Sequence, residues 1–229
     1  MKTYPYPSHL DIRHHGPPRT SGIHLSSIIR HVALKTGLLA KEYGEGPGLN
    51  EIIRDTPPDA VGQDGRLMKI IVGYAWESWL KRKLAERNTR FIAEPGETLR
   101  DGIIGTPDAL ETVPEWMVGI TGAGIGDGLL SHLSVIVHEI KATWKTSARP
   151  IEEEIMWLQQ AMGYCWMLEG ELGEPCRVAV FHPIYLCGDY RSNRLPIYPP
   201  IACEFEQKEL EMNWQMILDH KYDVMPEVW

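Results

Sequence analysis

The segment Ser134–Trp144 constrains this chain most. It is an apolar run of strand-forming residues, Val135-Ile136-Val137, continuing into His138-Glu139-Ile140-Lys141. Alternation on a strand puts Val135, Val137, Glu139, Lys141 and Thr143 on one face. A carboxylate and an ammonium therefore sit on the same side of a strand that is otherwise apolar enough to be central. Such a strand must face either solvent or a partner that compensates the charge. Upstream, Thr106-Pro107-Asp108 follows another short apolar run and supplies a second carboxylate. Downstream, Gln160 and Tyr164 stand four apart in a helical pattern and so share one helix face.

The elements around this strand alternate. A helix is expected from Ser26 to about Leu39, opened by a Ser26 N-cap and closed near Gly37. Residues 44–65 are rich in Gly and Pro and read as a loop, with at most a short helix near 49–54. Leu67–Glu86 reads as a helix whose apolar stripe is Leu67, Ile70, Ile71, Tyr74, Leu80 and Leu84. Strands are expected over Thr89–Ala93, Gly102–Leu110 and from Trp116 to Ile120, ahead of the long one. A helix over Pro150–Glu169 begins with Glu152-Glu153-Glu154, suited to the positive end of a helix dipole. Strands over Cys176–Leu186 and Leu195–Phe205 and a last helix over Gln207–His220 complete the order, an α/β pattern with a small mixed sheet. Residues 1–21 lack periodicity and read as an arm; 22–229 read as one domain with its core at about 66–205.

Glu77 falls on the apolar stripe of the Leu67–Glu86 helix. A carboxylate there needs a compensating cation, either a bound metal or a salt bridge to Lys81 or Arg82. Two clusters, Lys81-Arg82-Lys83 with Arg87 and Arg90, and Lys141 with Lys145 and Arg149, read either as solvated faces or as contacts to a polyanion. Trp144, Trp157 and Trp166 read either as stacking platforms or, for the last two, as core.

The 229 residues are 43% hydrophobic and carry a net charge of −8. That balance argues against a protein that coats nucleic acid, where neutralised phosphates supply the affinity. No apolar run reaches the roughly 20 residues of a bilayer span. The first residues lack the apolar core of a secretory signal, so a cytoplasmic protein is expected, without a membrane partner. The Gly-rich stretch 120–128 lacks phosphate-loop spacing, and His138-Glu139 has Ala142 where a zinc-protease motif needs histidine. His14-His15 reads as part of the solvated arm.

Together, Pro107-Asp108, Glu139-Ile140-Lys141, the helical Gln160 and Tyr164, and the earlier Glu77 within Gly73-Tyr74-Ala75-Trp76-Glu77 resemble the PD-(D/E)XK nuclease superfamily. Within it they resemble the RecB-like exonuclease branch with its Gln-x-x-x-Tyr motif, of the stand-alone phage or mobile-element type. The likeness covers residues from about 70 to 186. It implies a restriction-endonuclease-like αβββαβ core, a small mixed central sheet flanked by helices, with an N-terminal helical extension. It also implies Mg²⁺- or Mn²⁺-dependent hydrolysis of DNA phosphodiesters with one or two ions, by an exonuclease or by an endonuclease or nickase. A silent binding or assembly module on the same fold is the alternative.

The resemblance implies Asp108, Glu139 and the Ile140 carbonyl as metal ligands, with Glu77 completing the shell or binding a second ion. It gives Lys141 to the attacking water or the developing charge, and Gln160 and Tyr164 to the DNA strand. Lys145, Arg149 and Trp144 are the expected DNA contacts. Some relatives clamp an iron–sulfur cluster with four cysteines. Here Cys165, Cys176, Cys187 and Cys203 all lie late and His31 or a neighbour stands where the first cysteine would be, so reduced thiols are expected instead. Lacking helicase or ATP-binding motifs, the chain would rely on a helicase or a strand-annealing partner for any unwinding; its oligomeric state is open.

Overall fold

The computed structural model describes residues 20–38, 66–112, 135–143, 150–185 and 199–226, with the backbone alone for 66–72. Outside these lie most of the expected arm, the 44–65 loop, the strand from Trp116, the Gly-rich stretch, Trp144, Lys145, Arg149 and Cys187. The elements in chain order are β1 (Ile23–His24), α1 (Leu25–Lys35), α2 (Arg66–Arg87), β2 (Phe91–Ile92), β3 (Thr98–Arg100) and β4 (Ile103–Gly105). They continue with β5 (Ala109–Thr112), β6 (Val135–Thr143), α3 (Ile155–Leu172), β7 (Val178–Tyr185), β8 (Ile201–Glu204) and α4 (Gln207–His220).

Five strands form a mixed sheet in the order β2-β5-β6-β7-β8. β5 runs antiparallel to both β2 and β6, β6 pairs parallel with β7 across α3, and β8 returns antiparallel. The sequence α2-β2-β5-β6-α3-β7 is the αβββαβ order of a nuclease-like core, and the fold is mixed α/β as expected. β6 is central because it pairs with β7 along Ile136–Thr143, from Ile136↔Val178 to Thr143↔Tyr185. Parallel pairing buries both faces, and Val137, Ala179 and Phe181 are fully enclosed. They join one apolar cluster with Leu25, Ile28, Ile29 and Val32 of α1, Ala161, Tyr164 and Met167 of α3, and Leu210, Trp214 and Ile217 of α4. α2 packs on β6 as well.

A second, three-stranded sheet, β1-β4-β3, was not expected. The anticipated strand 102–110 is two strands broken at Thr106-Pro107-Asp108, and β3 and β4 form a hairpin closed by Asp101 (φ 52°) and Gly102 (φ 71°). Two successive positive φ values make the tight turn whose twist suits paired strands. Trp214 Nε1 donates to Asp101 Oδ2 at 2.9 Å, tying the hairpin to α4. Arg100 stacks over Trp166, its guanidinium carbon 4.4 Å from the ring centre, and donates to the Trp166 carbonyl. Trp157 and Trp166 are half-buried against the core, as the packing alternative anticipated.

Other boundaries differ in instructive ways. α1 begins at Leu25 after an extended His24, which makes no side-chain cap, rather than at a Ser26 cap. Glu152 and Glu153 sit in a separate 3₁₀ turn and Glu154 at the cap position, so no acidic residue occupies the first turn of α3. Of the α2 side chains described, Tyr74 is exposed, Leu80 and Leu84 are half-buried and Lys81 is buried. α4 runs over the expected Gln207–His220, since Glu206 and Glu209 close a reciprocal capping box. No helix among the described residues is long and apolar enough to cross a membrane.

α1 braces α3 at Gly163. A Cβ placed there would lie 2.7 Å from Leu25 Cδ2 and 3.0 Å from its Cδ1. Leu25 is itself only 1% exposed and has no room to retreat. Gly163→Ala is expected to cost a net of about 1–2 kcal/mol, overpacking outweighing the gain in helix propensity. Chemical denaturation checks this, with Leu25→Ala added to Gly163→Ala expected to relieve the clash.

Candidate active site

The site forms where β5 leaves β6. Their last pair is Ala109↔His138. Further along, Asp108 would face Glu139 and Pro107 would face Ile140, but proline has no N–H to donate to the Ile140 carbonyl. The ladder stops, and the Asp108 carboxylate, in place of a backbone carbonyl, accepts from the Ile140 N–H at 2.7 Å. A strand residue turns its N–H and C=O to the same edge, so the Ile140 carbonyl also faces this notch. The break at Pro107-Asp108 thus fixes one carboxylate and exposes one main-chain oxygen beside it. Gly105, just before the break, packs tightly on Tyr164 and Met167 of α3, where a Cβ would meet Met167 Sδ at 2.7 Å.

Glu139 is 0% exposed, and its Oε1 makes no hydrogen bond. Its Oε2 forms a close ion pair with the Lys141 ammonium. Burial excludes the alternative of a surface pair. Lys141 also donates to Gln160 Oε1 at 3.0 Å, and Gln160 Nε2 donates to the Tyr164 hydroxyl at 2.8 Å. The helix spacing of Gln160 and Tyr164 thereby becomes a fixed strut from the α3 interior to the ammonium.

From the other side α2 delivers Glu77. Its Oε1 lies 2.6 Å from Lys81 Nζ, and Lys81 also reaches Glu94 at 3.5 Å. Glu77 lines an open cavity of about 300 Å³ together with Gly73, Tyr74, Ile140, Lys141 and Ala142. Of the two alternatives for Glu77, the salt bridge to Lys81 is the one the structure shows. The sequence offered Lys81 both as the partner of Glu77 and as part of a basic cluster; the i, i+4 pair with Glu77 forms, whereas Lys83 pairs with Glu86 at the surface.

The cluster is short of positive charge. Burial pushes the Glu139 carboxyl up to about 8, against the pull of Lys141, with Asp108 adding to the rise. Burial followed by Asp108 likewise raises Glu77, despite Lys81. Burial alone would lower Lys141, but Glu139 and Asp108 outweigh it and hold the lysine as ammonium. Behind the strand, the buried His138 pairs with His182 at 2.9 Å and lies 3.3 Å from Glu111. Burial, then His138, lowers His182 to about 4.

No family model matches the chain, and no curated protein does. Two solved structures are similar at a distance. A phage related exonuclease from Haemophilus somnus 129PT shares 11% identity over 88% of this chain and 92% of its own, with a TM-score of 0.47. SSO0001 shares 16% identity over 89% and 78%, with a TM-score of 0.43. At this distance the reading of the site stands on its own geometry.

The residues brought together are Glu77, Asp108, Glu139, Ile140, Lys141, Gln160 and Tyr164, joined by Lys81. The expected DNA contacts Trp144, Lys145 and Arg149 lie outside the described residues. Fit to a hard divalent cation follows from the donor set. Three carboxylates act on one another electrostatically, one Glu139 oxygen is buried without a partner, and such cations select oxygen ligands. Cys165 and Cys176 are buried free thiols and Cys203 is half-buried.

Folded Glu139 titrates above its usual 4.5, so its effect favours the fold at low pH and is lost as pH climbs toward 8. His182, shifted down from 6.5, acts only below that value, and Lys141 titrates higher. Between pH 6.5 and 8 in EDTA the thermal midpoint should therefore fall with pH. Glu139→Gln should flatten that slope. Melting curves across the window check both.

Proposed function

We propose that this chain is a divalent-metal-dependent deoxyribonuclease, of exonuclease type, serving DNA recombination or repair or the processing of phage DNA. The observation that carries this reading is the buried Glu139, with one oxygen unpartnered, beside Asp108 and a lysine pinned to Gln160. An enzyme that hydrolyses phosphodiesters at neutral pH must relieve charge on the transition state and direct a water at phosphorus. The PD-(D/E)XK resemblance in motif order supports that class, and its Gln-x-x-x-Tyr branch supports exonuclease over endonuclease.

Mg²⁺ or Mn²⁺ would be held by Asp108, Glu139 and the Ile140 carbonyl, with Glu77 at the edge, and would supply charge relief at the scissile phosphate. Lys141, as an ammonium fixed between Glu139 and Gln160, suits stabilisation of the charge that develops on phosphoryl oxygens as water attacks. Gln160 and Tyr164 keep that ammonium in place and border the path of the DNA strand. Lys81 keeps Glu77 aimed at the cavity. Trp144, Lys145 and Arg149 follow β6 in the chain and are assigned the DNA backbone and an unpaired base.

Matched linear and covalently closed DNA, single- and double-stranded, incubated with Mg²⁺ or Mn²⁺ tests the proposal. Linear DNA alone should be degraded, and EDTA should stop it. Lys141→Ala should lower the rate by about 10²–10³-fold, the usual cost of removing one charge-stabilising donor. Gln160→Ala should lower it less, since the ammonium survives without its strut. Cutting of closed circles would make the enzyme an endonuclease. Absence of metal-dependent cleavage, with the variants folded, would remove the catalytic reading.

A further inference from the structure

Away from the sheet, three residues from distant parts of the chain meet where α1 crosses the end of α4. His31 lies on α1, His220 is the last residue of α4, and Asp223 belongs to the 3₁₀ turn Lys221–Asp223 that follows. Their ligating atoms all lie within 4.8 Å of one another. His220 Nδ1 is 2.8 Å from Asp223 Oδ2, and His31 Nε2 is 3.5 Å from the same oxygen. The two imidazole rings are 6.1 Å apart, centre to centre. His31 Nε2 is shut off from solvent yet makes no hydrogen bond, although a buried ring nitrogen ordinarily has a partner.

We propose that His31, His220 and Asp223 form a zinc site that staples α1 to the C-terminal helix. Two imidazoles and one carboxylate are a donor set that borderline Zn²⁺ accepts, with water in the fourth position. Donors about 2.0–2.1 Å from a tetrahedral zinc stand roughly 3.3 Å from one another. The two separations to Asp223 already bracket that value, and the imidazole nitrogens lie within 4.8 Å of each other. The nitrogen-rich set sets this site apart from the all-oxygen cluster at Glu139, which suits hard cations.

Lys35, exposed on α1, is the resident competitor, its Nζ 3.4 Å from Asp223 Oδ2. A long exposed side chain gives up such a pair at little cost. The consequence reaches the fold through α1, whose Leu25 fills the space against Gly163 of α3. A metal that fastens one end of α1 steadies the helix that carries Gln160 and Tyr164.

The test uses the full chain without an affinity tag, stripped with EDTA, with its thiols kept reduced. Zn²⁺ is titrated calorimetrically in the presence of Mg²⁺. One zinc per chain is expected to bind, and at a hundredfold excess over its dissociation constant to raise the melting temperature by about 5–10 °C. His31→Ala and His220→Ala should each weaken binding by more than the about 10–100-fold typical for loss of an outer partner, whereas Lys35→Ala should tighten it. Asp108→Asn should leave zinc uptake intact. Co²⁺ substituted into the unaltered protein should give the visible spectrum of a tetrahedral nitrogen–oxygen site without sulfur charge transfer. That readout keeps the proposal testable if the histidine variants fail to fold. Unaltered uptake by His31→Ala/His220→Ala, loss of uptake in Asp108→Asn, a thiolate spectrum, or no zinc binding at all would each overturn it.

Discussion

Burying Glu139 is the constraint around which this molecule is arranged. A carboxylate at the centre of a five-stranded sheet, on a face otherwise made of Val137, Ala179 and Phe181, carries a desolvation cost that a single ion pair offsets only in part. The rest of the site can be understood as what makes that placement tolerable. Lys141 is two residues along, on the same face by the strand's own alternation. Gln160 on α3 holds the lysine there, and Tyr164 holds Gln160. None of these partners satisfies Oε1, which marks where the compensation is incomplete. Apolar residues would stabilise the fold better at position 139, so packing alone does not account for the carboxylate.

The interruption of the β5–β6 ladder is the second half of the same design. Had the antiparallel pairing continued, the Ile140 N–H would have bonded to backbone, the carbonyl beside it would have been consumed, and no notch would exist. Pro107 cannot continue the ladder, and Asp108 uses its side chain to satisfy the donor that the break orphans. One dipeptide thus ends a strand, caps the exposed donor and aims a carboxylate. The cost of the break is small because only the far end of β6, already secured by β7 along its whole length, loses a neighbour.

How much of this could be read from the chain depended on whether the signal was local. The face shared by Glu139 and Lys141 follows from period two, the face shared by Gln160 and Tyr164 from the helical repeat, and the bounds of α4 from its capping pair. Asp101-Gly102 was an equally local signal for a hairpin. The expected strand began at Gly102 and none was expected over Thr98–Arg100, so the hairpin and the three-stranded sheet went unseen. On helix α2 the described part of the expected stripe is only partly enclosed, Tyr74 exposed and Leu80 and Leu84 half-buried, because Lys81 takes the covered position beside Glu77. The meeting of His31 with His220 and Asp223 has no local signature, since it exists only once α1 lies across α4.

Charge joins the site to the chain's overall acidity. Glu77, Asp108 and Glu139, if ionised, outnumber the ammonium groups of Lys81 and Lys141 and leave the cluster one negative charge. An acidic protein of net charge −8 presenting a negative pocket would repel a phosphodiester. The upward pKa shifts of Glu77 and Glu139 are the response of the metal-free site, which gathers protons to relieve the same imbalance. Under the proposed function, a divalent cation would answer it more fully, turning the balance to one positive charge in place of the proton on Glu139. A polyanion would then be attracted only with the cation bound. The acidity that argues against passive DNA binding would make substrate attraction conditional on the ion.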